Sequence, residues 1–490
     1  MFLLSDDTPF TEETEPWARP ADPAPAPRVF WQTNTHTPPP RLGLTILAGS
    51  QAVFGPVRVE DADAGFFTVG AALPRISDDG LEVSLRFRPA GADAERGIEL
   101  ARKPIASYDD SMPWEDIEFD LDPCRGKNGS LVVACGAGPA GDPRADWAAL
   151  YELVVGPPEK RTLLRARAFR DWRAKNERDH YSAVQPPEYA PTRPGNGFGW
   201  LPAWFPVSPV GNPALSPPNA QRYAGELLQK HLGRRIPDFV GLLQKKIRGL
   251  KNGETLRLLA LCCGTAQKEA ILMSHADGSR VCLTLMDLNE KLLERARIRL
   301  APHCETRIAP CDVNDIDLQG ESFDVILCAA GLHHLIELER VAGAIARGLR
   351  PGGEFWSISE YIGRSGARLW PEAYAIANPF FQALPEKYRV NALTGKPITE
   401  LPNLDCSVST FEGIRAPEIE GVLAKWLQPL YVSRQGCWLW RVFEHGAYGA
   451  NYDLGKREDR RLIHQAAALD ANHQLNGGRP TGLNAVYAAR

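Results

Sequence analysis

In the C-terminal half of the chain, short apolar runs recur with helical patterns between them. They are Leu256 to Leu261, Val281 to Met286, a run through Thr306-Arg307-Ile308 to Cys311-Asp312-Val313, and Phe323-Asp324-Val325-Ile326-Leu327-Cys328; Leu349-Arg350-Pro351-Gly352-Gly353 then forms a turn feeding a further run. Each is short enough to be a strand buried on both faces. Strands alternating with helices predict a parallel sheet, and such sheets bind ligands outside the carboxyl ends of their strands. The N-terminal half has a different rhythm. From about Val29 to Gly156, runs such as Gly65-Phe66-Phe67-Thr68-Val69, Leu81-Glu82-Val83-Ser84-Leu85-Arg86-Phe87 and Leu131-Val132-Val133-Ala134-Cys135 are separated by Gly, Pro and Asp. The second alternates apolar and polar residues, as a half-buried strand does. Little helical periodicity interrupts them, so an antiparallel β-sandwich is expected.

The rest of the chain divides around these two patterns. Residues up to about Arg28 are rich in Pro, Glu, Asp and Ala, which predicts a disordered or loosely attached segment. Lys160 to Tyr181 is charged and helix-compatible, with Arg165, Arg167, Arg170 and Arg173, and reads as an exposed connecting helix. Pro186 to Pro218 is too apolar for a free linker, with Phe198, Trp200, Trp204 and Phe205, and is expected to lie across a domain surface or to lid a cleft. Helical periodicity resumes at Gln221 to Leu232 and Pro237 to Leu250. The expected organisation is therefore multidomain: an N-terminal segment over 1–28, a β-sandwich over 29–158, a connection over 159–219, and an α/β Rossmann-like domain with helical additions over 220–490.

Bulk properties narrow the function classes. A chain of 490 residues exceeds a single ordinary core, and 44% hydrophobic with 24% charged residues is the balance of a globular protein. A formal charge of -4 gives no reason to expect nucleic acid as the main partner. No window approaches the length of apolar sequence that a transmembrane helix needs, and the start of the chain lacks a basic region and long apolar core, so a cytoplasmic location is expected. The 10 cysteines include no Cys-x-x-Cys pair, and Cys262 and Cys263 are adjacent. Buried free thiols are expected, and no metal site is read from their spacing.

The chemistry sits at the ends of the C-terminal runs. The first is followed by Cys262-Cys263-Gly264-Thr265-Ala266, the second ends in Asp287-Leu288, the third in Cys311-Asp312-Val313, and the fourth in Ala329-Ala330-Gly331-Leu332-His333-His334-Leu335. A carboxylate closing the second strand can accept hydrogen bonds from both hydroxyls of a ribose; the plainer alternative for Asp287 is a helix cap before Asn289. Asp312 is otherwise a loop acid. This order of motifs resembles the class I S-adenosylmethionine-dependent methyltransferases. The resemblance implies S-adenosylmethionine as cofactor, with Cys262, Gly264, Thr265 and Ala266 beside its methionine portion, Asp287 and Leu288 at its ribose, and Asp312, Val313 and Ala329 around its adenine. The family usually has three spaced glycines in the first turn, whereas here only Gly264 remains between Cys262 and Ala266.

Small-molecule methyltransferases often carry Leu-His-His at the fourth strand end. There a neutral imidazole of His333 or His334 can take a proton from a hydroxyl or amine nucleophile; the alternative is that the pair structures the loop. The Asn/Asp-Pro-Pro-aromatic sequence of many nucleic-acid and amide N-methyltransferases is absent. Residues 220 to 490, with Glu360-Tyr361-Ile362-Gly363 and Glu412-Gly413-Ile414-Arg415, look like a bacterial subgroup associated with cell-surface glycan biosynthesis. Ala416 stands where that subgroup usually has Ser, and Gly436-Cys437 where it has two glycines. The resemblance makes Tyr361 a catalytic candidate and Glu360 and Arg415 candidates for acceptor binding, although each serves equally well as a structural hydrogen bonder.

Within the first half, Trp114 to Leu121 and Asp146-Trp147-Ala148 resemble galactose-binding jelly-roll modules, which would let Trp114 and Trp147 stack on sugar rings. Core packing of the tryptophans, or a β-sandwich used for contact with another protein or a second copy of the chain, is the alternative. The expected function is O-methylation of a sugar or glycan precursor. Its rivals are a quinone-like or polyketide-like acceptor, and a cofactor-binding or interaction protein in which the altered glycine turn marks lost activity.

Overall fold

The computed structural model describes residues 1–5, 8–14, 27–34, 41–72, 80–93, 97–105, 114–137, 147–183, 219–392, 394–408, 410–444 and 447–490. The chain forms two compact units, Met1–Arg173 and Ala174–Arg490. Residues 184–218, with the aromatic connection at Phe198, Trp200, Trp204 and Phe205, lie outside the described residues.

The first unit is built from β1 (Phe2–Leu3), β2 (Thr11–Thr14), β3 (Val29–Asn34), β4 (Arg41–Leu47), β5 (Ser50–Arg58), β6 (Ala64–Ala71), β7 (Leu81–Pro89), β8 (Ile98–Ile105), β9 (Trp114–Phe119), β10 (Asn128–Ala137) and β11 (Trp147–Gly156). They pair into two antiparallel sheets: β3-β4-β11-β6-β9, with β1 beside β11, and β2-β5-β10-β7-β8. Leu44, Ile46, Phe67, Val69, Leu150 and Leu153 from the first sheet share one hydrophobic cluster with Phe54, Val83, Leu85, Phe87, Leu131 and Val133 from the second. The alternation read along Leu81 to Phe87 thus turns its apolar positions into that cluster.

Two expectations about this region are corrected. Phe2–Leu3 pairs with Val154 and Val155, and Thr11–Thr14 pairs with Ser50 to Val53, so these parts of the first 28 residues are strands of the sheets rather than a loose tail. The polar sequence Thr-Glu-Glu-Thr hides its strand character because backbone pairing, not burial, holds it there. The helical connection is also less exposed than its charge suggests. Helix α1 (Arg161–Arg167) buries Leu164 and Ala166. Arg173, 5% exposed, lies in α2 (Arg170–Ala183) and donates to the carbonyls of Arg165, Ala166 and Ala168. The first compact unit consequently runs to Arg173 rather than ending near 158. Of the two tryptophans considered for sugar stacking, Trp147 is half-buried and packs edge-on against Phe30, with ring centroids 6.1 Å apart.

The second unit contains α3 (Ala220–Leu232), α4 (Phe239–Arg248), β12 (Leu256–Leu261), α5 (Gln267–Met273), β13 (Val281–Asp287), α6 (Glu290–Leu300), β14 (Glu305–Pro310), β15 (Phe323–Ala329), α7 (Leu338–Gly348), β16 (Leu349–Tyr361) and α8 (Pro371–Gln382). It continues through β17 (Val390–Asn391), β18 (Lys396–Pro397), α9 (Ile419–Trp426), β19 (Leu427–Gln435), α10 (Leu439–Val442), α11 (Arg457–Leu475) and β20 (Gly482–Ala489). Its 7-stranded sheet has the order β14-β13-β12-β15-β16-β20-β19. The strands from β14 to β16 are parallel, and β20 runs antiparallel between β16 and β19. The order reverses between β12 and β15, which opens a crevice at their carboxyl ends.

Both faces of this sheet are covered, as its continuous apolar strands require. Phe239, Leu243 and Ile247 of α4 pack with Leu258, Leu283, Leu327 and the fully buried Trp356 on one face. Val341 and Ile345 of α7 cluster with Leu259, Leu261, Ile326 and Phe355 on the other. Among the described residues no helix is long and apolar enough to cross a membrane.

The C-terminal addition is pinned by a buried cap. The carboxylate of Asp470, on α11 and fully buried, accepts the amides of Cys437 at 2.8 Å, Trp438 at 3.3 Å and Leu439 at 2.9 Å. Without it those donors would be buried unpaired, at about 1–3 kcal/mol for each unmet group. Asp470→Ala is therefore expected to lower unfolding free energy by on the order of 3 kcal/mol in urea titration, and Asp470→Asn by less. Equal stability of Asp470→Ala and wild type would contradict the capping role.

Candidate functional site

The loop after β12 keeps an unusual backbone. Cys262, Gly264 and Ala266 have φ of 50°, 52° and 52°, so alternate residues occupy the left-handed region. Glycine enters that region freely, whereas a side chain there costs roughly 1–2 kcal/mol. The two non-glycine positions thus retain the torsions that glycines would give. A Cβ placed on Gly264 would meet nothing within 4 Å, so the loop has open space over this residue. Ala266 is buried as the first cap of α5, and Thr265 accepts from Arg299 Nη1 through its carbonyl at 2.6 Å and its hydroxyl at 2.7 Å.

Asp287 closes β13 beside this turn. Its Oδ2 accepts the Gly264 amide at 2.8 Å and its Oδ1 the Asn289 amide at 2.9 Å. Burial pushes its carboxyl pKa up, while the two amides work in the opposite direction. The cap is therefore real, but it sits with the bond that fixes the Gly264 turn, and a carboxylate has enough lone pairs for further donors. Leu288 beside it is half-buried.

At the next strand end, Asp312 Oδ1 accepts from Asn314 N and Nδ2, both at 2.9 Å, and Val313 is buried. Asn314 Oδ1 in turn accepts the amides of Ile336 at 2.8 Å and Glu337 at 3.0 Å. This links the Asp312 loop to the segment after β15. Ala329 ends β15 half-buried, and Ala330 follows with φ of 59°. A Cβ on Gly331 would stand 2.5 Å from Cys262 Cβ and 3.0 Å from Cys328 Sγ, so the loops after β12 and β15 approach each other closely here.

The histidine loop is anchored from β16. Glu360 is fully buried, and its Oε2 accepts the amides of Gly331 at 3.1 Å and Leu332 at 2.9 Å. Its Oε1 accepts from His333 N at 3.2 Å, Tyr361 N at 3.0 Å and His333 Nδ1 at 2.5 Å. The other nitrogen of His333 lies 3.4 Å from Glu412 Oε1. His334 places Nδ1 2.8 Å from Glu177 Oε1 and Nε2 3.4 Å from Glu412 Oε2. Glu177 is itself held by the Phe411 amide, 2.8 Å from its Oε2.

These surroundings decide the protonation of the pair. Burial disfavours the charged imidazole of His333, but the charges of Glu412 and Glu360 outweigh it and push the pKa up to about 10. His334 is also raised: burial opposes the charge, and Glu177 and Glu412 overcome it against the neighbouring His333. The carboxylates thus favour the charged form of both rings, against the neutral imidazole that a general base needs.

The remaining acceptor candidates are corrected as well. Glu360 spends its carboxylate on the loop. Tyr361 is 1% exposed, with its hydroxyl directed at the carbonyls of Arg364 at 3.0 Å and Arg368 at 2.8 Å, and burial pushes the phenol up. Arg415, 2% exposed, forms a fork on Glu339 at 2.9 and 2.8 Å and also pairs with Glu418 at 2.6 Å, so it ties α7 to the turn before α9. Each side chain is satisfied internally, which leaves it structural rather than turned to an acceptor. The structure adds Glu177, Glu412 and Asn314 to the residues of interest. Glu412 lay in a recognised segment, but Glu177 on a charged helix gave no signal.

Comparison with known proteins agrees with this sheet edge. Residues 258–353 match the family model described as a methyltransferase domain. The demethylmenaquinone methyltransferase of Leptospira interrogans serogroup Icterohaemorrhagiae is 32% identical over 107 residues, covering 21% of this chain and 42% of that protein. The protein of the same name from Clavibacter sepedonicus is 31% identical over 124 residues, 24% of this chain and 49% of its own length. The chain thus spans under half the length of either relative. A solved S-adenosylmethionine-dependent methyltransferase from Clostridium acetobutylicum is 21% identical, with 24% of this chain and 47% of that chain covered and a TM-score of 0.21. Residues 258–353, from β12 to the start of β16, are thus the part of the chain that is similar to a methyltransferase domain.

The histidine cluster has a pH signature. The pKa of His333 rises from 6.5 to about 10, so its contribution to stability is full below about 6.5 and is lost as pH rises through about 10. Glu360 and Glu412 are lowered, despite burial, by the histidines, and their contribution is lost instead as pH falls. In chelator-treated protein, urea-unfolding stability is expected to decline across the alkaline window, and His333→Gln should be less stable at neutral pH but lack that decline. Parallel pH profiles would show that His333 is not held charged.

Proposed function

We propose that the chain transfers a methyl group from S-adenosylmethionine to a small-molecule acceptor. The observation carrying this reading is Asp287, fixed by the Gly264 and Asn289 amides beside the left-handed turn after β12. The open space over Gly264 and the free lone pairs of Asp287 suit a nucleoside with an extended amino-acid tail. In this reading Cys262, Gly264 and Ala266 line the methionine portion, Asp287 and Leu288 meet the ribose, and Asp312, Val313 and Ala329 border the adenine. Thr265 holds the loop through Arg299.

The cofactor supplies an electrophilic sulfonium methyl group when bound. The protein's task is then to hold the acceptor in line, exclude water and manage one proton. The fixed loop Gly331 to His334 borders the reacting side. Both ring nitrogens of each histidine face carboxylates, so the pair shapes this border and is not assigned the role of base.

The leading acceptor is a hydroxyl of a sugar or glycan precursor. It rests on the resemblance of residues 220–490 to the glycan-associated subgroup, and on reading the two sheets of the first unit as a β-sandwich of the galactose-binding type. A quinone-like acceptor is the second reading, favoured by the demethylmenaquinone methyltransferase name of the relatives.

Calorimetric titration with S-adenosylmethionine and S-adenosylhomocysteine tests the reading. Micromolar binding by wild type, weakened at least tenfold in a folded Asp287→Ala variant, is the expected result. No binding by folded wild type would overturn the reading in favour of an interaction protein. With binding established, methyl transfer to sugar or to quinol acceptors separates the two substrate classes.

A further inference from the structure

We propose that His333, His334 and Glu412 form a binding site for one divalent transition-metal ion, with zinc as the reference ion. Donor atoms of these residues all lie within 4.8 Å of one another. His333 Nε2 faces one oxygen of Glu412 and His334 Nε2 faces the other, each at 3.4 Å. That separation is long for a charge-assisted hydrogen bond, which lies at about 2.7–2.9 Å. It is close to the ligand-to-ligand spacing of about 3.3–3.5 Å expected for zinc bonds of about 2.0–2.1 Å, with each histidine facing a different oxygen of Glu412. Glu412 Oε2 is buried and makes no hydrogen bond among the described residues, a position that a coordinated cation would satisfy.

The outer contacts strengthen the assignment. Both histidines point Nε2 toward Glu412; His333 Nδ1 hydrogen-bonds Glu360 at 2.5 Å, and His334 Nδ1 lies 2.8 Å from Glu177 within ion-pair distance but outside hydrogen-bond geometry. Metal-binding histidines commonly carry such a carboxylate on the second nitrogen, which fixes the tautomer and raises ligand basicity. Two imidazoles and one carboxylate are also the donor set of catalytic zinc and non-haem iron centres that keep a coordination position open. The side chains of His334 and Glu177 are 16% and 13% exposed, against 4% for His333 and 4% for Glu412, so the cluster is more accessible on the His334 side. Glu412 lies far in sequence from the adjacent His333 and His334, which is why no short-range ligand motif announced the set.

The site stands independently of the methyl-transfer reading. Resting on that reading, its open position would polarise an acceptor oxygen and ease loss of its proton, a task that carboxylate-paired histidines perform poorly.

The test uses the full-length chain, stripped with chelator and titrated with Co2+, then competed with Zn2+. One Co2+ per chain with the visible absorption of a tetrahedral or five-coordinate N/O site, displaced by one Zn2+, is expected. Glu412→Gln and His334→Ala should abolish the spectrum while retaining the far-ultraviolet circular dichroism of wild type, and Glu177→Gln should weaken affinity about 10–100-fold. His334→Ala, at the more exposed position, covers the case in which Glu412→Gln does not fold. No stoichiometric ion in folded wild type, or an unchanged spectrum in a folded ligand variant, overturns the proposal. Neither result depends on cofactor binding or turnover, so failure here leaves the methyltransferase reading standing, and the converse also holds.

Discussion

Removing a carboxylate from water costs several kcal/mol unless its lone pairs find partners, and Glu360 meets that demand with the turn that carries the histidines. Amides of Gly331, Leu332, His333 and Tyr361 and one ring nitrogen of His333 all point at it. The neighbouring strands β15 and β16 are thereby joined beyond the end of their backbone ladder. Loop position, ring orientation and the close approach of Gly331 to Cys262 all follow from that acid. A group that resembled an acceptor contact in sequence is instead what makes a fixed sheet edge possible.

The same economy of charge runs through the second unit. Arg415 is consumed by Glu339 and Glu418, Asp470 by three amides before α10, and Asn314 by two amides before α7. These buried polar groups act over long stretches of chain and fix loops that regular secondary structure leaves free. Truncating one member of such a set leaves its partners buried and unpaired, so the effect exceeds the worth of any single bond.

What the sequence revealed follows the range of the forces involved. Strands β12, β13 and β15 were legible because parallel strands covered on both faces are apolar runs, and Asp287 because it ends one of them; Asp312 follows the largely exposed edge strand β14. The antiparallel character of the first unit was legible from alternation. The pairing of Thr11–Thr14 was not, since a polar edge strand has only its backbone to declare it. Nor was the meeting of Glu177, Glu360 and Glu412 around two histidines: it depends on a helix, a strand and a loop that sequence spacing does not bring together. Side chains with local signatures were found, and of the two roles open to Tyr361 and Arg415 their burial and internal partners favour the structural one.

The turn after β12 shows how a motif can survive the loss of its letters. Cys262 and Ala266 hold the torsions that glycine adopts with least strain, at roughly 1–2 kcal/mol each, and the surrounding sheet and helix outweigh that energy. What defines this loop is a sequence of dihedral signs, left-handed at Cys262, Gly264 and Ala266, which glycine makes easy but does not alone supply. A pattern of three spaced glycines would pass over this turn, whereas its backbone torsions mark it at once.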